Sequence, residues 1–223
     1  MEVVPDPDTK VLNLWKQHLG QVPDYVCTLA QLETLILADN DLSSVPEAIG
    51  MLTRLRTLDL GHNALTELPA SIGSLVDLSD FLYLHDNQLD GLPASIANLK
   101  RLRYLNLSEN RFAAMPQSVC ELSGLIELRM TDNAIGALPD EIGRLTNLRE
   151  LHLRNNRLVT LPDAIGELQS LRLLDLRGNP LTSLPPSLFA LPRLEKLDLR
   201  WVASLSMPRE LAGLEERGCI VYR

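Results

Sequence analysis

Apolar and polar residues alternate along this chain in a rhythm that does not drift. The pattern L-x-x-L-x-L-x-x-N-x-L-x-x-L-P-x-x-I-G-x-L returns nine times, with local substitutions. Its prolines are Pro23, Pro46, Pro69, Pro93, Pro116, Pro139, Pro162, Pro185 and Pro208, spaced 23 residues apart except for one step of 24 between Pro69 and Pro93. A fixed period of this length predicts a solenoid, in which one small unit is stacked and none can bury its apolar side alone.

Within the unit Leu55–Leu75, Leu58 and Leu60 alternate with Thr57, Asp59 and Gly61. A period of two predicts a short strand with one buried face. Asn63 follows, and its amide is placed to bond the backbone groups that turn the chain out of the strand and would otherwise be buried unpaired. Asn40, Asn87, Asn110, Asn133, Asn156 and Asn179 repeat the role, and stacking lets each asparagine also serve its neighbour. Leu65 and Leu68 point inward. Pro69, with φ fixed and no N–H, suits the first turn of a short helix or 3₁₀ segment. Ile72 and Leu75 then lie on one inward face of that turn.

Parallel strands pack about 4.8 Å apart, and the return segments are wider. The stack therefore curves, with the strands on the concave side. The L-P-x-x-I-G-x-L half resembles the Ras-group leucine-rich repeats of intracellular scaffold proteins, of plant intracellular Ras-group-related proteins and of their bacterial counterparts, and the chain reads as a bacterial member. The expected fold is an α/β solenoid, a leucine-rich repeat horseshoe with a concave parallel β-sheet and short helical or 3₁₀ convex segments. One domain is expected: an N-terminal extension at 1–10, repeats over 11–208, and a cap helix and strand over 209–223.

Departures from the pattern carry their own expectations. The first repeat has Gln17 in place of asparagine. The ninth reads Leu197, Leu199, Val202, Ser204, Met207, Pro208, with Val202 for asparagine and Ser204 for leucine, which puts its turn in question. Gly218 is placed to stop the cap helix, and in the last strand Ile220 and Tyr222 are expected inward with Val221 out. In the 24-residue step, Leu78-Ser79-Asp80-Phe81-Leu82 holds one residue too many before a strand at Leu82-Tyr83-Leu84. A bulge there is either a tolerated insertion or a device that pushes Phe81 towards a ligand.

The same pattern fixes which side chains face the groove. Three zones follow. The first is acidic, with Asp39, Asp59, Asp86 and Glu109, and Asp132 beyond. The middle holds His62, Tyr83, His85 and Tyr104, with Phe81 and Asn106 beside them. The end carries an arginine row, Arg154, Arg177 and Arg200, flanked by Arg129, His152 and Trp201. Aromatics make up only 4% of the chain, so Tyr83 and Tyr104 on consecutive strands suggest interface anchors, the alternative being cross-strand packing. The arginines either dock an acidic partner segment or are neutralised by Asp175 and Asp198, two residues upstream of Arg177 and Arg200. Candidate partner-binding residues are thus Phe81, Tyr83, His85, Tyr104, Asn106, Arg129, His152, Arg154, Arg177, Arg200 and Trp201.

Composition narrows the function. The formal charge is −8, all of it in residues 1–110, with 7 basic and 15 acidic residues, while residues 111–223 carry 14 of each. Nucleic acid and anionic membranes are poor partners for that balance. No apolar run approaches a membrane span, and the start Met1-Glu2-Val3-Val4 has neither the basic nor the apolar part of a secretory leader. Cys27, Cys120 and Cys219 are few and far apart. Cys27 and Cys120 occupy the small-residue position held elsewhere by Gly50, Gly73, Gly143 and Gly166, so packing and a reducing cytoplasm are expected. Phosphate-loop, dinucleotide, zinc-protease and C-x-x-C motifs are missing, and His62 and His85 beside Asp59 and Asp86 make only a weak metal candidate. The expectation is therefore a monomeric cytoplasmic binding module without enzyme activity, cofactor or metal. An effector translocated into a host cell is the alternative, and self-association of the concave face is a further one. A GTPase, kinase or phosphatase partner is implied by the family resemblance alone.

Overall fold

A computed structural model describes residues 5–206 and 208–223; the expectations for Met1-Glu2-Val3-Val4 and for Met207 lie outside them. Ten three-residue strands form one parallel sheet in chain order: β1 (Val11–Asn13), β2 (Thr34–Ile36), β3 (Thr57–Asp59), β4 (Phe81–Tyr83), β5 (Tyr104–Asn106), β6 (Glu127–Arg129), β7 (Glu150–His152), β8 (Leu173–Asp175), β9 (Lys196–Asp198) and β10 (Ile220–Tyr222). Five-residue 3₁₀ turns, from Asp24–Thr28 to Pro186–Ala190, form the return of each unit and stack on one another. The cap helix α1 spans Leu211–Glu216. One continuous leucine core runs between the two layers. Leu55, Leu58, Leu60, Leu65, Ile72 and Leu75 of a single unit are all fully buried.

The asparagines weld neighbouring units. Asn63 Nδ2 donates to Leu60 O and Gly61 O of its own turn and to Leu37 O of the preceding unit. Its Oδ1 accepts from Asn40 N and Leu42 N, again of the preceding unit. These backbone groups lie away from water, where an unmade bond costs about 1–3 kcal/mol. Gln17 is exposed and does not take this place; Asn40 instead reaches back to bond Gln17 N at 2.8 Å.

Just before each ladder asparagine, and before Gln17 and Val202 that stand in its place, the backbone turns left-handed. Lys16, Asp39, His62, Asp86, Glu109, Asp132, Asn155, Gly178 and Trp201 all have φ between 50° and 66°. Asp, Asn and Gly tolerate that region best. Part of the acidity of the first half of the groove is therefore a backbone requirement rather than a partner's imprint.

Three expectations need correction, and the open question of the ninth turn is answered. The ladder prolines from Pro23 to Pro185 stand one residue ahead of the 3₁₀ turns, in extended conformation; Pro69 has φ −65° and ψ 150°, and its carbonyl accepts the N–H of Ile72. In the 24-residue step the strand begins at Phe81, not Leu82, and the ladder is not bulged: Phe81 pairs with Thr57 and Tyr104, and Leu82 with Leu58 and Leu105. Asp80 N and Phe81 N both bond Arg56 O, as Arg56 N and Thr57 N both bond Glu33 O, so the surplus residue is taken up at Ser79, outside the sheet. In the ninth unit, whose turn was in question, Trp201 keeps the left-handed backbone and Leu205 joins the core near Val202. In β10 the parity is reversed. Val221 pairs with Leu197 and packs on the core, whereas Ile220 and Tyr222 are exposed, because the inward residue of every strand is its middle one.

The three cysteines are free and buried. Burial pushes the Cys120 thiol up to about 12, which removes it as a nucleophile. A Cβ at Gly73 would stand 2.4 Å from Ser95 O of the next turn, so the close stacking of 3₁₀ turns explains the small residues there. Among the described residues no helix is long and apolar enough to cross a membrane.

Candidate functional site

Strand register sorts the outward side chains into columns. One runs Thr57, Phe81, Tyr104, Glu127, Glu150, Leu173, Lys196; the next runs Asp59, Tyr83, Asn106, Arg129, His152, Asp175, Asp198. A third follows each strand, through His85, Arg154, Arg177 and Arg200. The candidate residues thus share a face, spread from β4 to just beyond β9, and fall into separate groups.

The first group is aromatic. Tyr83 and Tyr104 ring centroids lie 5.1 Å apart, Phe81 and Tyr104 5.4 Å, and Phe81 stacks on Tyr83 at 5.7 Å. Phe81 is exposed, and Tyr83 and Tyr104 are half-buried by one another. Burial raises both phenol pKa values, that of Tyr104 to about 12, so both keep their protons. Phe81, Tyr104 and Ile126 floor a hollow of about 260 Å³ rimmed by Asp80, Arg103 and Glu127. Tyr83 leads on to His85 at 6.0 Å, and His85 packs edge-on to His62 at 4.6 Å. His85 has room because Gly61 faces it: a Cβ there would meet the ring at 2.4 Å. Burial, then the neighbouring His62, lowers the His85 pKa. His62 Nδ1 contacts Asp86 Oδ2 at 2.7 Å. Asn106 serves its own turn, its Oδ1 accepting from Ser108 N.

The second group is charged and already paired. Arg177 donates through Nε and Nη2 to both oxygens of Asp175, at 2.9 and 2.6 Å, and Arg200 grips Asp198 in the same way at 3.0 and 2.8 Å. The aspartates are 5% and 2% exposed, so these forks are fixed in the sheet rather than loose on its surface. Burial pushes the Asp198 carboxyl up, but the Arg200 bonds and the Arg177 charge outweigh it and hold the carboxyl below its ordinary value. Arg154 donates to Asp132 at 2.8 Å and Arg129 to Glu127 at 2.5 Å. Trp201, 69% exposed and left-handed, lies 5.9 Å from both Arg177 and Arg200.

A third group was not singled out by the sequence. Glu127, Glu150 and His152 bring one oxygen or nitrogen each within 4.8 Å of one another. The residues sit on adjacent strands, so writing the repeats in register would have shown them side by side. Ile126, Arg103 and Tyr222 were likewise missed; Tyr222 extends the far end, 5.1 Å from both Arg200 and Lys196.

Comparison with known proteins agrees with this architecture. The family model described as a leucine-rich repeat region matches residues 72–157 and 136–217, and a second leucine rich repeat model matches 7–65. A leucine-rich repeat protein of Leptospira interrogans is similar at 27% identity with a TM-score of 0.71, over 97% of this chain and 66% of that one. The ectodomain of the Arabidopsis thaliana receptor kinase GASSHO1/SCHENGEN3, in complex with CASPARIAN STRIP INTEGRITY FACTOR 2, is similar at 30% identity and TM-score 0.66, over 91% of this chain and 28% of that one. The PEPR1–AtPEP1 structure is similar at 28% identity and TM-score 0.76, over 96% of this chain and 34% of that one. The chain thus spans about two thirds of the Leptospira protein and about a third of the plant receptors. No curated protein matches it. With ten in-register strands and repeat models covering nearly its whole length, the chain belongs to the leucine-rich repeat family.

Proposed function

We propose that this protein is an adaptor whose concave face grips a protein partner, with Phe81, Tyr83 and Tyr104 as the anchor. The observation that carries this reading is the cluster of three aromatic rings on β4 and β5, Phe81 exposed and Tyr83 and Tyr104 half-buried, in a chain with few aromatics, beside a hollow floored by Ile126. Rigid rings of this kind dominate interface energetics because they bury much surface at little entropic cost. The plant receptor structures, solved in complex with ligands that include a peptide hormone receptor's RGF2, support a protein or peptide ligand in general. The arginines are secondary contacts in this reading. An acidic segment would have to displace Asp175 and Asp198 from bidentate pairs before it could use them.

Free buried thiols favour a reducing cytoplasm. The Ras-group character of the repeats, and a GTPase, kinase or phosphatase as partner, rest on resemblance alone. Affinity capture followed by mass spectrometry tests the anchor. The Tyr83→Ala/Tyr104→Ala variant is expected to lose partners that Arg177→Ala/Arg200→Ala retains, with circular dichroism confirming that both fold. An aromatic variant that keeps the full set of partners would sink the reading.

A further inference from the structure

Glu127 and Glu150 are direct ladder partners on β6 and β7. Like charges so placed repel across a sheet; the Arg129 charge acts on both, but its hydrogen bond goes to one of them. Arg129 Nε donates to Glu127 Oε1 at 2.5 Å, whereas among the described residues the Glu150 carboxylate is within hydrogen-bond reach of the His152 ring alone. His152 Nε2 lies 3.2 Å from Glu150 Oε2 and 3.9 Å from Glu127 Oε1. Its side chain is only 13% exposed, so the ring is held in that place by the sheet. A four-coordinate ion with bonds of 2.0–2.2 Å sets its donors roughly 3.4 Å apart, a spacing these contacts straddle.

We infer that Glu127, Glu150 and His152 form a binding site for a divalent transition-metal ion of the zinc type, with its remaining coordination open to the groove. One imidazole and two carboxylates suit zinc, or cobalt as its substitute, better than calcium or magnesium, which prefer all-oxygen shells. With Arg129 counted, the two glutamates leave one net negative charge for the ion. Arg129 competes for Glu127, so the site is of modest affinity, and it carries a signature: removing the guanidinium strengthens it. The site does not depend on the proposed partner.

The test is a zinc titration of chelator-treated full-length protein against a chromophoric competitor. Cobalt absorption serves to read the coordination number. One equivalent is expected to bind, about tenfold or more weakly in Glu150→Gln and His152→Ala, as ligand-shell losses usually act, and more tightly in Arg129→Met. The His62→Ala/His85→Ala variant, which removes the other imidazole pair, is expected to bind as wild type does, and circular dichroism checks every fold. Failure of the wild type to compete for micromolar zinc, unchanged affinity in both Glu150→Gln and His152→Ala, or loss of binding in His62→Ala/His85→Ala would each overturn the inference.

Discussion

Tyr83 on β4 and Arg177 just beyond β8 project from the same face of the same sheet, yet the two regions they represent differ in what remains to be satisfied. Around Tyr83 the rings cover one another in part and leave apolar surface in water. Around Arg177 each guanidinium is already forked onto a buried aspartate. An arginine row read from the sequence looks like a docking strip; in the folded protein it acts as a set of internal braces. Exposure on the groove is therefore not the same as availability to a partner.

The sharpest test of that contrast is to disturb the frame that both regions share. Asn87→Leu beneath the aromatic region and Asn179→Leu beneath the arginine region each remove three Nδ2 donations and an acceptor for a neighbouring amide. Both are expected to cost about 3 kcal/mol, the upper end for orphaned buried groups, by chemical denaturation. A large difference between them would mean the frame is not uniform. Next in size, Tyr83→Ala/Tyr104→Ala should weaken partner binding by at least 2 kcal/mol, as hot-spot aromatics do, while Arg177→Ala/Arg200→Ala should cost far less affinity. Isothermal calorimetry with a captured partner decides it, and equal losses would erase the distinction.

Asp198→Asn sharpens the other half. The folded-state pKa of Asp198 is depressed, so its stabilisation is present above the unfolded carboxyl value and is lost as pH falls through the folded one. The variant should be less stable by about 1.5–3 kcal/mol near pH 7, in keeping with hydrogen bonds to charged groups. That gap should close as urea titrations are taken below about pH 4, the ordinary aspartate range. A gap that stays constant through the acid range would mean the brace is not electrostatic. The smallest effect is expected at Arg101→Ala, whose pair with Asp77 is 66% and 50% exposed. Its stability should stay within about 0.5 kcal/mol of wild type, and a larger loss would show that surface pairs on the return layer do more than those of the groove.

The frame was legible in the sequence because leucine, asparagine and proline positions repeat, and each repeat re-states the direction of every side chain. What escaped depended on depth or on neighbours 23 residues away. The pairing of Arg177 was one of two open alternatives, since only the fold shows Asp175 sunk to 5% exposure. The β10 parity was misread because no further repeat followed to fix its phase, and Val221 takes the place of Leu197. The position of Phe81 hinged on where one surplus residue was absorbed, which hydrogen bonding at Ser79–Asp80 decides and spacing does not. Glu127, Glu150 and His152 are unremarked one at a time and become a group only across a ladder.

The asparagine ladder has a direction. Asn63 fastens the amides of Asn40 and Leu42, Asn179 fastens that of Leu158, and every such clasp reaches back towards the N-terminus. The turn that begins the chain is therefore clasped by Asn40 although it has no asparagine of its own. The Leu181 amide looks forward to Val202, which offers no side-chain oxygen. Amide exchange should accordingly creep inward from the C-terminal side, and anyone splicing extra units into this solenoid must supply an asparagine on the downstream side of each junction.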